Sequence, residues 1–321
     1  MPEPDIRQLD GPIAVLMGGT ASEREVSLRS GAAVLEVLQH GGYNCIGIDT
    51  AIDLVATLHA AGPAFAFIAV HGSGGEDGRL QALLELCGIP YSGSGVLASA
   101  LAMDKLRSKQ LWRGIGLATP DFMLYSEIQA SRDVTYFDTA LQTLGGRIFV
   151  KPVAEGSSFG MSVADSVAGL RSACELAAGF GQPVLLERAI AGDEYTVAIL
   201  RGQCLPSIRI ETGRSFYDFD AKYVDEDTRF VIPSGLSAQD EAALGALSLA
   251  AFDALGCAGW GRVDVMRCAA SNTFYLLEVN TVPGLTDHSL VPKAARAAGY
   301  SFDELIESIV RAGLQPGEVP R

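Results

Sequence analysis

Apolar residues in this chain recur in two periods, and the changes of period mark its elements. Residues 13–17 form a short apolar run that breaks at Gly18-Gly19-Thr20. Beyond it Val26, Leu28, Val34 and Leu38 keep helical spacing, and Ser22 with Glu25 fits a capping box at the start of that helix. Residues 43–48 and 64–70 predict two further strands with a helix between them. Strands alternating with helices make a parallel sheet with covering helices, and ligands gather at the carboxyl ends of its strands. Two loops lie at such ends, GGTASERE after the first strand and HGSGGEDG after 64–70.

The pattern changes after about Met103. Residues 103–112 predict a basic helix with Lys105, Arg107 and Lys109, followed by Arg113, read mostly as a solvated face. Residues 147–151 predict a strand stopped at Pro152, and 161–164 a short strand after it. Between them EGSSFG (155–160) predicts a mobile hairpin lid with many N–H and O–H donors. Residues 184–187 are an apolar strand closed by Glu187.

From about Ala191 the chain predicts strands at 195–200 and 204–211. The stretch 213–235 is long, polar and poorly periodic, and its Phe216, Tyr217, Phe219, Tyr223 and Phe230 predict an ordered lid. Ser237 caps a helix that runs to about Leu255. Residues 260–267 alternate apolar and polar, 273–279 are aromatic and aliphatic, and 269–272 are turn material, which together predict a hairpin. Ser301 and Glu304 form a capping box for a last helix to about Arg311. The fold class expected is α/β, α+β when the whole chain is taken. Three domains are expected: 1–103, a parallel α/β unit; 104–190, a small central α+β unit; and 191–321, an antiparallel α+β unit.

Composition narrows the function. Of 321 residues, 48% are hydrophobic and 19% charged, which argues against disorder. A net charge of −14 argues against non-specific nucleic-acid binding, so phosphates would need a few placed cations and a metal. The six cysteines show no CxxC spacing and predict buried free thiols in a reducing compartment. The start MPEPDIRQLDGP has no basic, apolar leader, and the run 64–70 is too short to span a membrane, so a cytoplasmic protein is expected. Gly93-x-Gly95-x-x-Ala98 matches a dinucleotide fingerprint in form only, since no clear strand precedes it.

The densest chemistry lies in the hairpin. Asp264 sits on its first strand; Glu278 and Asn280 sit on one face of the second. Two carboxylates and an amide oxygen are hard ligands suited to Mg²⁺, with nucleotide phosphates completing the shell. Arg262 shares the face of Asp264, and Pro283-Gly284 forms a turn that can present backbone N–H groups. Taken alone, Glu-x-Asn is a solvated face at roughly five to one. The coincidence of Arg, Asp, Glu and Asn on paired strands makes that plain reading much weaker. Lys151 just before the Gly/Ser lid likewise favours a phosphate cradle over a mere flexible turn. Glu23 alone reads as a first-turn carboxylate and His71 as a hydrogen-bonded structural histidine.

The segments GRVDVM, FYLLEVNTVPGLT and HSLVP resemble the C-terminal signature of the D-alanine–D-alanine ligases, an ATP-grasp family, and GGTASEREVS, VHGSGGEDG and VKPVAEGSSFGM resemble its other motifs. The resemblance covers 13 to about 311 and implies an ATP-grasp fold. It implies a homodimer that binds ATP and two Mg²⁺ (or Mn²⁺), and two molecules of D-alanine. One carboxylate would be phosphorylated and the resulting D-alanyl phosphate attacked by the second amine, for peptidoglycan precursors. It implies that Glu23 holds the first ammonium with His71 near it, and that Glu23, Ser157 and Tyr223 form a triad beside the attacking amine. Arg262 and the Gly284 N–H would stabilise the oxyanion, and Ser289 with Leu290 would hold the second carboxylate. Lys105, Lys151, Ser157 and Ser158 would meet the phosphates, Glu187 the adenine amino group and Glu194 the ribose. Lys222 and Phe216 would join the nucleotide site from the lid, where Asp220 replaces a frequent Glu. Asp264, Glu278 and Asn280 would hold the metal. Two alternatives stand beside this reading: another ATP-grasp ligase of carboxylates and amines, and a catalytically silent nucleotide-binding relative.

Overall fold

The computed structural model describes residues 4–213 and 228–315. Its first layer is a parallel sheet of order β2-β1-β3, made of β1 (Ile13–Met17), β2 (Cys45–Asp49) and β3 (Phe65–Ile68). These short runs are almost wholly apolar because helices cover them. α1 (Arg24–His40) packs on β1 and β2, and α2 (Leu54–Ala61) on β2. α1 starts at Arg24 with Glu23 at its N-cap and no side-chain cap, so the expected Ser22–Glu25 capping box does not form. The Glu23 side chain turns instead towards Ser157.

α3 (Arg79–Leu86), α4 (Val96–Met103) and α5 (Lys105–Gly114) follow. The helix expected at 103–112 is thus broken at Asp104, an extended residue that ends α4 and caps α5 by accepting from the Arg107 N–H at 2.9 Å. The solvated basic face expected on α5 is also corrected, because Lys105 and Lys109 are buried in ion pairs. Gly93 of the fingerprint-like stretch lies against Trp260, whose indole nitrogen would be 3.3 Å from an added Cβ.

The central sheet has order β4-β7-β5-β6 and is antiparallel throughout. Its strands are β4 (Phe122–Leu124), β5 (Ile148–Pro152), β6 (Ser162–Ala164) and β7 (Val184–Arg188). α6 (Glu127–Arg132), α7 (Tyr136–Thr143) and α8 (Val167–Ala178) accompany it, with α8 on β5 and β6. The expected lid joins β5 to β6, and Ser157, Ser158 and Gly160 there have positive φ.

The third sheet runs β11-β10-β8-β12-β13, with β9 beside β8. It comprises β8 (Gly192–Leu200), β9 (Gln203–Cys204), β10 (Ile208–Glu211), β11 (Arg229–Val231), β12 (Trp260–Cys268) and β13 (Phe274–Asn280). The single strand expected at 204–211 is two strands, since Pro206 has no N–H to give a ladder. Period-two alternation splits this sheet between two cores: Val197 and Ile199 pack with α4, α5 and α9 (Ala238–Ala254), while Ala198 and Leu200 face the core of the first sheet. α10 (Leu290–Ala297) and α11 (Phe302–Leu314) complete that core, where Leu305, Ile306, Ile309 and Val310 join β1 and β3. All six cysteines are free thiols, but only Cys174 and Cys257 are buried; Cys87 and Cys204 are exposed. No helix among the described residues is long and apolar enough to cross a membrane.

Candidate active site

The β12–β13 hairpin forms the wall on which the candidate residues meet. Its register places Arg262 opposite Asn280 and Asp264 opposite Glu278, with an irregularity just after Asp264. Asp264 is held from four directions. Its Oδ1 accepts from Thr196 Oγ1 at 2.6 Å and from Arg262 Nε at 2.8 Å; its Oδ2 accepts from an Arg262 amino group at 2.7 Å and from Asn280 Nδ2 at 3.0 Å. With the amide nitrogen of Asn280 on Asp264, its oxygen is the atom left for a cation. Glu278 stands 3.1 Å from the Lys105 ammonium, which also donates to the Glu155 carbonyl at 2.8 Å. Two carboxylates and an amide oxygen fit a hard divalent cation. Among the described residues no group of three or more His, Cys, Asp or Glu side chains is placed for a metal, so the rest of such a shell would come from ligand oxygens and water.

One part of this wall borders a cavity of about 700 Å³, lined by Lys105, Lys151, Ser158, Glu187, Glu194, Asp264 and Glu278 with apolar Phe149, Met161, Ile190 and Met266. Glu187, on β7, accepts from Lys151 at 2.6 Å and forms an ion pair with Lys109 through its other oxygen. Burial by itself would raise the Glu187 carboxyl, but the two ammonium groups outweigh it and hold the group below its ordinary value. Burial pulls Lys109 down to about 8, against the attraction of Glu187.

Farther along the same face, at Arg262 and Asn280, is a pocket of about 80 Å³, lined by Glu23, His71, Glu76, Ser157, Arg262, Gly284, Ser289 and Leu290 among others. The Ser157 hydroxyl donates to Glu23 Oε1, and Gly156 lies so close that an added Cβ would be 2.5 Å from Glu23 Oε2. Ser289 is the N-cap of α10, and its Oγ accepts from the Thr286 N–H at 3.0 Å. The positive end of a helix therefore borders this pocket, as suits a carboxylate. Glu278 lines both spaces.

Two models of known families match the chain: the D-ala D-ala ligase N-terminus over residues 47–94 and the D-ala D-ala ligase C-terminus over 111–311. The D-alanine–D-alanine ligase of Saccharophagus degradans is 51% identical over 95% of this chain and 97% of its own. That of Stutzerimonas stutzeri is 53% identical over 96% of each. The chain belongs to the D-alanine–D-alanine ligase family. Among solved structures, the Bacillus anthracis D-alanine–D-alanine ligase complexed with ATP superposes with a TM-score of 0.81 at 33% identity, over 95% of this chain and 97% of that one. The VanG D-Ala:D-Ser ligase of Enterococcus faecalis gives 0.81 at 28% identity, over 95% and 99%. The ATP-grasp fold expected from the motifs is the fold of this chain.

Of the residues singled out in the sequence of this ligase-family chain, the fold gathers Glu23, Ser157, Arg262, Gly284, Ser289 and Leu290 at the small pocket. It gathers Lys105, Lys151, Ser158, Glu187, Glu194 and Asp264 at the large one. Phe216, Asp220, Lys222 and Tyr223 lie outside the described residues. His71 lines the small pocket, but both its ring nitrogens are committed to the protein. Nδ1 must donate to the Val282 carbonyl at 2.8 Å, so Nε2 accepts from the Ser30 hydroxyl at 3.0 Å, and Ser30 Oγ takes the Leu285 N–H at 3.2 Å. Burial lowers the His71 pKa and keeps the ring neutral, as this tautomer requires. The ring therefore pins the turn that carries Gly284 to the end of β3. Sequence reasoning missed Ser30, Glu76, Thr196 and Lys109. Glu76 stands in GEDG and accepts from the Gly72 and Val282 N–H groups at 3.1 and 3.2 Å, and only its place in that loop hinted at a role.

Proposed function

We infer that the chain is an ATP-dependent, ADP-forming D-alanine–D-alanine ligase supplying peptidoglycan precursors. The observation that carries this reading is the shared wall: Glu278 borders both the large cavity and the small pocket, so a phosphoryl donor and a carboxylate acceptor would meet at the hairpin. The three-domain partition at 103 and 190, a homodimer and a cytoplasmic location belong to the same reading. ATP with Mg²⁺, when bound, would supply the phosphoryl group that makes a D-alanine carboxylate reactive. Asp264, Glu278 and Asn280 would hold the metal, and Lys105, Lys151 and the Ser158 hydroxyl would position the phosphates. Glu187 and Glu194 would take the adenine and ribose.

Glu23 supplies an acceptor for an ammonium group, and Ser157 orients that carboxylate. The Arg262 fork and the Gly284 N–H would stabilise the oxyanion of the tetrahedral intermediate. Ser289 and the start of α10 would hold the second carboxylate. Tyr223 would complete the triad with Glu23 and Ser157. The lid at 154–160 would exclude water from a hydrolysable acyl phosphate.

The test is phosphate release from ATP with single amino acids. Release that requires D-alanine and equals the dipeptide formed supports the reading. Release driven by a different acid and amine would assign another ATP-grasp ligase. No release with any of them would leave a silent nucleotide-binding protein. D-serine and D-lactate as second substrates place the chain relative to the D-Ala:D-Ser relative.

A further inference from the structure

We propose that Lys109 is a positioning residue for purine selectivity: it holds Glu187 as a permanent hydrogen-bond acceptor at the wall of the large cavity. The proposal rests on the reading that adenine lies beside Glu187. Lys109 is 0% exposed and Glu187 1%. The Lys109 ammonium meets Glu187 Oε2, Thr119 Oγ1 at 2.9 Å and the Leu276 carbonyl at 3.2 Å. An ammonium has three donors, so this one has none to offer a ligand. Lys109 lines neither pocket.

Lys151 differs. It lines the cavity, and among the described residues it pairs with Glu187 alone, at 2.6 Å. Its remaining donors and its charge are open to a phosphate, which would share it with Glu187. Lys109 is the cation that stays with Glu187 whatever the cavity holds. A buried carboxylate left with only a shared cation tends to take up a proton. The protonated acid carries an O–H and can donate to a 6-oxo purine. The carboxylate only accepts, so it selects the 6-amino group of adenine and repels a 6-oxo group. Thr119 and Leu276 fix where the ammonium sits, tying α5 and β13 to β7.

The experiment measures dissociation constants for Mg²⁺ complexes of ATP and inosine triphosphate, which differ at the purine 6-position and its neighbouring nitrogen. It uses wild type, Lys109→Met, Glu187→Gln and the double variant. Wild type should prefer ATP by on the order of a hundredfold, and Lys109→Met should lose about tenfold of that preference. The lost preference should return as pH is raised from about 6 towards 7.5, because Glu187 then ionises again, while wild type stays flat. A Lys109→Met protein with a lower Tm but an unchanged, pH-independent ratio would overturn the proposal and leave Lys109 a structural tie. Should Lys109→Met fail to fold, the double variant decides, since it buries no lone carboxylate. A ratio equal to that of Glu187→Gln supports coupling through Glu187, whereas a further loss overturns it. If Glu187→Gln itself leaves the ratio unchanged, no purine lies at Glu187 and the proposal falls with the reading beneath it.

Discussion

In the large cavity Glu187 lies between two ammonium groups; in the small pocket Glu76 lies between two backbone N–H groups. Glu187 is buried and Glu76 partly buried, and each carboxylate meets two N–H-bearing partners. Their charge states diverge. Lys109 and Lys151 hold Glu187 below its ordinary value, whereas burial, reinforced by the negative charge of Glu23, pushes Glu76 up to about 8. The backbone N–H groups offset too little of that burial cost because they carry only partial charge. Beside the cavity read as the nucleotide site the carboxyl Glu187 is thus kept ionised, whereas the pocket read as the amino-acid site keeps a neutral His71 and a carboxyl that ionises only in mild alkali. The hairpin presents one face to both, with Arg262 and Asp264 paired on it.

The sharpest test of this division is the residue common to both sides. Glu278→Gln removes a charge with little change of shape. Turnover at limiting Mg²⁺ should fall by on the order of a thousandfold, with partial recovery as Mg²⁺ is raised. A Mg²⁺ titration of kcat superposable on wild type would remove Glu278 from the metal site. Arg262→Lys comes next. It keeps the charge but loses the fork that grips both oxygens of Asp264. We expect turnover to drop on the order of a hundredfold with substrate affinity changed less. Full activity would reduce Arg262 to a structural partner of Asp264.

Two smaller effects probe the small pocket. Ser30→Ala deletes the hydroxyl that links His71 to the Leu285 N–H. The turn carrying Gly284 then loses one anchor, and kcat should fall by about tenfold while KM for ATP holds. Equal losses in both parameters would show that the link is general scaffolding. Glu76→Gln has the smallest effect and the most specific signature. The folded Glu76 carboxyl titrates near 8, above its ordinary 4.5, so its contribution to stability is fully present below about 4.5 and is lost as pH rises through 8. The variant gives up one acceptor, about 1 kcal/mol, and so melts slightly lower at pH 5.5. Its Tm should then fall less than that of wild type between pH 5.5 and 8.5. Parallel Tm curves for the two proteins would mean that Glu76 is ionised throughout.

Much of the hairpin was legible in the chain. A two-residue spacing puts Arg262 with Asp264, and Glu278 with Asn280, on one face each, and a four-residue turn between apolar strands leaves few registers. The register then sets Asp264 opposite Glu278. The strands at 13–17 and 184–187 and the capping box at Ser301 follow from equally local rules, because side-chain direction and backbone capping depend on neighbours a few residues away. The break at Asp104 was less visible, since apolar spacing runs on through a residue that both ends one helix and caps the next.

Charge state and burial were decided elsewhere. Lys109 reads as one more base on an amphipathic helix until β7 and β13 close around it. His71 reads as a structural histidine, but its partners could not be named until a carbonyl 211 residues away took one of its nitrogens. Glu76 sits in a loop of ordinary polarity, and its partner N–H at Val282 is 206 residues distant. Desolvation and Coulomb interaction act through space over a few ångströms, so they are set by which distant segments arrive together. Periodicity acts along the chain, and for that reason it could be read before the chain was folded.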